Sequence, residues 1–166
     1  PRLALYVHWP FCRAKCPYCD FNSHVGAETD HARFAGAYRR ELEYMAGTYG
    51  GGRRLESIFF GGGTPSLMPA WLVGGIIEDA DRLFGLAPDI EITAEANPTS
   101  AEAAMFTGFR SAGVNRLSLG VQSLRDEALA FLGREHSAAE ALAALAEARQ
   151  TFDRLSIDLI YALKGQ

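Results

Sequence analysis

Five short apolar runs, separated by stretches with helical spacing, dominate the chain. Residues 3–9 read as a first strand, 55–60 as a second, 90–94 as a third, 115–121 as a fourth and 155–160 as a fifth. After the first, Thr29 or Asp30 can cap a helix whose apolar face is Phe34, Tyr38, Leu42 and Met45; Gly50, Gly51 and Gly52 end it. Pro69, a favourable first-turn residue, opens a helix with Leu72, Ile76, Ala80 and Leu83 on one face. Thr99 and Glu102 read as a capping box before Met105, Phe109 and Ala112, with Gly113 as the stop. Ser137 and Glu140 form a second box ahead of a helix with Leu142 and Leu145 on its apolar face. Such alternation predicts an α/β fold: a parallel sheet with helices outside it, either open or part of a (β/α) barrel. Five strands cannot close an eight-stranded barrel, and the chain stops six residues after the fifth, so the pattern reads as a fragment.

The 166 residues suit about one domain. With 48% hydrophobic and 22% charged residues, the chain can bury a core, which argues against disorder and coiled coils. A net charge of −4 offers no basic footprint for nucleic acid. Residues 57–77 carry no charge, but Gly61, Gly62, Gly63, Pro65 and Pro69 would break a helix there, so no transmembrane segment is expected. The N-terminal stretch 1–9 lacks the pattern of a secretory signal, and no initiator Met precedes it. Cys12, Cys16 and Cys19 are an odd, clustered set and a poor disulfide framework. A reducing, cytoplasmic location follows as the expectation, with the thiols as metal ligands or redox groups.

The first strand leads directly into Trp9-Pro10-Phe11-Cys12 and then Cys16-Pro17-Tyr18-Cys19. A Cys-x3-Cys-x2-Cys loop can wrap three thiolates around one compact centre. Iron–sulfur clusters are normally held by four thiolates, so a four-iron cluster here would keep one iron open to an exogenous ligand. A zinc site completed by His8 or His24 is the alternative on spacing alone. Arg13 and Lys15 place positive charge among the thiols.

At the end of the second strand, Gly61-Gly62-Gly63-Thr64 lets a ligand approach the backbone, or simply makes a tight strand-to-helix turn. No Gly-Lys-Ser/Thr follows, so this is not a phosphate loop. Glu95 and Asn97 follow the third strand, Gln122 and Ser123 the fourth, and Asp158 lies in the fifth. Singly, each reads as a cap or an ion-pair partner, and Arg134 as a surface charge. Together the rim residues suggest a polar pocket for a small molecule at the C-terminal ends of the strands.

With these runs the sequence resembles the radical S-adenosylmethionine family, and within it the oxygen-independent coproporphyrinogen III oxidase-like and heme chaperone (HemW) branch. The matching runs are Tyr6-Val7-His8-Trp9-Pro10-Phe11-Cys12, Cys16-Pro17-Tyr18-Cys19-Asp20-Phe21, Phe60-Gly61-Gly62-Gly63-Thr64-Pro65-Ser66, Glu95-Ala96-Asn97-Pro98, Gly113-Val114-Asn115-Arg116-Leu117-Ser118, Gly120-Val121-Gln122-Ser123 and Ile157-Asp158-Leu159-Ile160-Tyr161. The resemblance implies a partial (β/α) barrel, with residues 1–166 forming a core domain cut before the sixth strand and a C-terminal domain. It favours the cluster over zinc. Cys12, Cys16 and Cys19 would hold three irons of a 4Fe-4S cluster, and the fourth iron would take the amino and carboxylate groups of S-adenosylmethionine. Gly62, Gly63 and Thr64 would flank the methionine end, and Tyr6, Tyr18, Glu95, Gln122, Arg134 and Asp158 would complete the cofactor pocket.

The implied chemistry is reductive. An electron donor such as a flavodoxin or another reductase feeds the cluster, and the sulfonium's carbon–sulfur bond breaks to methionine and a 5′-deoxyadenosyl radical. Two roles compete within the branch. One is a heme chaperone that delivers heme to an acceptor; the other is oxidative decarboxylation of coproporphyrinogen III. The dehydrogenases typically carry a further cysteine where this chain has Phe21, so the resemblance implies the chaperone. A departure falls after the fifth strand, where Ala162 and Lys164 stand in place of the Gly and Pro usual in relatives.

Overall fold

The computed structural model describes residues 2–25, 29–164 and 166; Pro1 and Gly165, which enter the sequence reading, lie outside them. Five strands form one sheet in chain order: β1 (Leu3–Trp9), β2 (Leu55–Gly62), β3 (Leu86–Ala96), β4 (Arg116–Gln122) and β5 (Arg154–Leu159). Every neighbouring pair is parallel. Between them run α1 (His31–Met45), α2 (Ala70–Phe84), α3 (Ser100–Ala103), α4 (Phe106–Ala112), α5 (Asp126–Phe131) and α6 (Ala138–Thr151).

β4, β5 and β3 from Ile90 onward alternate between polar and apolar residues. Along β4, Arg116, Ser118, Gly120 and Gln122 interleave with Leu117, Leu119 and Val121; along β5, Arg154, Ser156 and Asp158 interleave with Leu155, Ile157 and Leu159. A parallel sheet buried on both faces reads instead as continuous apolar runs. The register brings like with like, pairing Thr93 with Arg116, Glu95 with Ser118, Arg116 with Arg154 and Ser118 with Ser156. One face of the sheet is therefore polar. Across it Arg116 Nη2 donates to Ser156 Oγ at 2.9 Å, and Glu91 accepts from both Arg116 (3.3 Å) and Arg154 (2.8 Å). The opposite face, including Val7, Trp9, Ile58, Phe60, Ile92, Leu117 and Leu119, is buried in one core with Leu42, Leu72, Ile76, Phe109 and Ala148 of the helices.

Local chemistry sets the helix ends. Asp30 caps α1, its carboxylate accepting from Arg33 N–H at 2.9 Å. Tyr38 on α1 donates to the His8 carbonyl at 2.6 Å, and burial pushes its phenol up to about 12. Ser137 and Glu140 form the complete reciprocal box expected of them. Thr99 accepts from Glu102 N–H, but the Glu102 carboxylate does not return to Thr99; it turns inward to Ser66 and Asn97. That half of the predicted box is therefore absent.

Three other expectations need correction. The chain breaks between α3 and α4, so the buried face begins at Phe106 and not at Met105, while Phe109 and Ala112 pack inward as expected. Phe106 is fully buried, whereas Met105, expected on that face, is 36% exposed. On α6 the buried stripe is Ala141, Ala144 and Ala148; Leu142 is 53% exposed and Leu145 packs only at the margin. Small residues let this helix lie close to the sheet. The third strand begins at Leu86, not at residue 90, because its pairing with β2 shifts register between Leu55 and Ser57, which absorbs Pro88 and Asp89 as an irregularity. Helix α5 has no counterpart in the sequence reading. Beyond β5, Ala162 adopts φ 60°, in the left-handed region, at the position where the branch usually has glycine.

In the full-length protein, Phe106→Ala should cost about 3–5 kcal/mol of unfolding free energy in denaturant melts. Met105→Ala should cost under about 1 kcal/mol. Equal losses would show that the break between α3 and α4 is misplaced.

Candidate functional site

The site begins where β1 enters the cysteine loop. Trp9, the last residue of the strand, is buried against Phe11, His31 and Phe34, with ring centroids 5.1–5.9 Å away. Backbone bonds then hold the loop. Gly63 N–H donates to Trp9 O at 2.6 Å, Thr64 N–H to Phe11 O at 2.8 Å, and His24 N–H to Pro10 O at 2.7 Å. Phe11–Cys12 also pairs with His24–Val25, closing the far side of the loop. A Cβ on Gly63 would lie 2.6 Å from Phe11 O and 3.0 Å from Cys12 Sγ. The close approach that glycine permits is thus used by the cysteine loop itself. Gly133, at φ 66°, plays the same part on the other side, since a Cβ there would meet Pro17 Cδ at 2.8 Å.

Cys12, Cys16 and Cys19 are free thiols, each partly exposed. All three line one cavity of about 360 Å³. Gly62, Gly63 and Thr64 form one wall; Glu95, Gln122 and Asp158 come from the ends of β3, β4 and β5; Tyr18 and Arg134 close it. The structure therefore gathers eleven of the twelve sequence-predicted residues around one space. Tyr6 stays outside that lining; it stacks on Phe59 at 6.2 Å, with its hydroxyl 3.4 Å from His8 Nδ1.

Opposite charges are arranged around the cavity. Burial raises the Glu95 carboxyl above the ordinary range, Asp158 raises it further, and the Gly62 N–H opposes both. Burial, and secondarily Glu95, raises the Tyr6 phenol. Arg134 projects from the turn after α5. Its Nη2 donates to Asn97 Oδ1 at 2.5 Å and to Gly120 O at 2.8 Å. Its Nη1 makes longer contacts, 3.4 Å to Cys16 Sγ and 3.3 Å to Tyr18 Oη. Gln122 sits at φ 67°, spanned by a hydrogen bond from Ser123 N–H to Val121 O at 2.8 Å. This is a tight γ-turn of the strained kind, found here at the rim of the cavity.

Sequence reasoning missed Gly120, Ser23 and Ile160, which also line the space. Position at the C-terminal end of a strand was the available signal for Gly120 and Ile160. Ser123, named as a rim residue, is not in the lining. His8 is engaged elsewhere, with Nε2 3.0 Å from Asn22 O. Among the described residues no three His, Cys, Asp or Glu side chains converge on a single-ion site. Three thiols on one cavity with two carboxylates and a guanidinium are a donor set that suits an iron–sulfur cluster beside a ligand carrying both charges.

A profile of the Radical SAM superfamily matches residues 6–166. The chain is 48% identical, over 99% of its length, to radical S-adenosyl methionine domain-containing protein 1, mitochondrial, of Bos taurus. It is 42% identical, over 100% of its length, to heme chaperone HemW of Escherichia coli (strain K12). Its fold superposes on coproporphyrinogen III oxidase (HemN) from Escherichia coli, a radical SAM enzyme, with a TM-score of 0.84, 32% identity and 98% of this chain covered. The chain spans 37%, 44% and 38% of those proteins' own lengths. With the profile covering nearly every residue and the sheet matching that of a radical SAM enzyme, the chain belongs to the Radical SAM superfamily.

Proposed function

We propose that this chain is the core domain of a radical S-adenosylmethionine protein that works as a heme chaperone. The carrying observation is that Cys12, Cys16 and Cys19 open onto the same cavity as Glu95, Asp158 and Arg134. The three thiols would hold a 4Fe-4S cluster, which when bound supplies the electron for reductive cleavage of a sulfonium. The chain's own groups suit the remaining ligand. Glu95 and Asp158 can accept from its ammonium and ribose hydroxyls, Arg134 can donate from Nη1 to its carboxylate, and Gly62, Gly63, Thr64, Gln122 and Tyr18 enclose the rest. Tyr6 acts from beside Glu95 and not from the cavity wall.

Heme as cargo is supported by the Escherichia coli relative's name and by Phe21. This ring lines the cavity and is 55% exposed, an apolar wall where a thiol would have been reactive. Oxidative decarboxylation of coproporphyrinogen III is the second reading, favoured by the superposition on the oxidase. An electron donor of flavodoxin type and a heme acceptor complete the proposal, and the rest of a longer chain would supply a sixth strand and the heme-facing part. Free thiols suit a reducing compartment such as the cytoplasm. Among the described residues no helix is long and apolar enough to cross a membrane.

Anaerobic reconstitution of the full-length protein should load about four irons per chain. Alanine at any one of Cys12, Cys16 or Cys19 should lose most of that iron, and tight stoichiometric zinc without sulfide would overturn the cluster. The loaded protein should bind heme and leave coproporphyrinogen III unconverted under reducing, anaerobic conditions. Steady release of carbon dioxide and protoporphyrinogen would establish the dehydrogenase instead.

Glu95 gives a pH test. Its raised pKa means that the ionised carboxylate costs stability at neutral pH in the ligand-free protein, a cost that fades as pH falls through the raised value. Glu95→Gln should therefore raise the ligand-free melting temperature at pH 7.5, by about 2–4 °C per kcal/mol relieved, with the gain shrinking towards acid pH. The same variant should weaken S-adenosylmethionine binding by roughly 1–3 kcal/mol. Wild-type affinity should itself fall as pH drops through that pKa, because the cation requires the ionised form. A pH-independent affinity would remove Glu95 from the ammonium.

A further inference from the structure

Glu102 is a carboxylate outside the cavity wall, only 3% exposed, and its side chain is served by neutral donors. The Ser66 hydroxyl donates to Oε2, Asn97 N–H donates to Oε2 at 2.7 Å, and Asn97 Nδ2 donates to Oε1 at 3.2 Å. Sequence reasoning assigned this residue to a helix cap, yet its side chain is turned away from the helix end. Asn97 passes the interaction on, because its Oδ1 accepts from Arg134 Nη2.

The chemistry of the amide makes this arrangement directional. Asn97 presents its carbonyl to a cation and its amino group to an anion. Flipping the amide would set donor against guanidinium and carbonyl against carboxylate, so both ends oppose the flip. Nη2 of Arg134 carries two hydrogens, and Asn97 Oδ1 and Gly120 O use both. Nε is buried without a partner, so of the two terminal nitrogens Nη1, with its long contacts to Cys16 and Tyr18, is the one left to turn to a ligand. A buried carboxylate, two hydrogen bonds away from the guanidinium, thus holds the amide that takes one of the Nη2 hydrogens.

We infer that Glu102 is a positioning residue that acts through the Asn97 amide to fix the ligand-facing edge of Arg134. This inference rests on the reading of Arg134 as the partner of the S-adenosylmethionine carboxylate. Glu102→Gln keeps the volume but leaves a donor facing a donor, either at Asn97 N–H or at Nδ2, and removes the negative charge that the amide's amino group faces, and so weakens the hold on the amide.

The test uses the reconstituted full-length protein, with S-adenosylmethionine affinity by calorimetry, iron content, and the electron paramagnetic resonance spectrum of the reduced cluster with and without S-adenosylmethionine. Glu102→Gln and Asn97→Ala should each weaken affinity about tenfold, leave iron content near wild type and reduce the spectral change on adding S-adenosylmethionine. The double variant should be no weaker than either single one, since both break one relay. Multiplied losses in the double variant, or wild-type affinity in Glu102→Gln, would overturn the inference. If Glu102→Gln fails to load iron, Asn97→Ala, which keeps the buried carboxylate and its Ser66 bond, decides alone: unchanged affinity there also overturns it. Arg134→Ala separates the two levels. If that variant binds like wild type, the reading of Arg134 fails and takes the relay with it. If it binds weakly while both relay variants bind normally, only the relay fails.

Discussion

Two backbone hydrogen bonds, from Gly63 N–H to Trp9 O and from Thr64 N–H to Phe11 O, tie the cysteine loop to the end of the neighbouring strand. The rest of the site depends on this seam. Without it the loop would lose its backbone tie to β2 and keep only the pairing with His24–Val25 and the contacts of Cys16, Pro17 and Tyr18 with the turn after α5. The seam requires glycine at position 63, because a Cβ there would press on a carbonyl oxygen at 2.6 Å. Chain order helps, since β1 and β2 are adjacent in the sheet and their C-terminal ends meet naturally.

The sheet's two faces explain how a small domain can hold both a core and a charged cavity. Residues spaced by two point the same way, so one strand can bury leucines against helices while lining a polar face with arginine, serine and acid. The price is local. Glu95 is half-buried near another carboxylate, and Gln122 is held in a backbone conformation unusual for its type. Both features lie at the cavity rim, where a cationic ligand would relieve the first.

Much of this was legible in the residues. Strand positions, the caps at Asp30 and Ser137, and most of the rim followed from periodicity and from the rule that ligands sit at the C-terminal ends of parallel strands. What was illegible has identifiable causes. Phe106 displaced Met105 because a break in helical phase leaves no trace in spacing. Alanines displaced Leu142 because close helix–sheet packing favours small residues over apolar large ones. Glu102 satisfied a local motif on paper while tertiary partners claimed its side chain. Spacing alone gave Arg134 as a surface charge, and the family resemblance rather than periodicity placed it in the pocket; the fold brings it 118 positions back to Cys16.

The same seam has a consequence for synthesis. The cysteine loop leaves the ribosome first, but the donors that hold it belong to residues 63 and 64, about fifty positions later. At roughly 5–20 residues per second, the thiols spend about 3–10 s on the nascent chain before their clamp exists. During that interval they are flexible, reduced ligands open to adventitious metal or oxidant. On the proposed cluster reading, selective loading of the site would be a matter of timing as well as affinity, since the clamp on the loop forms only after β2 has been made and has docked beside β1.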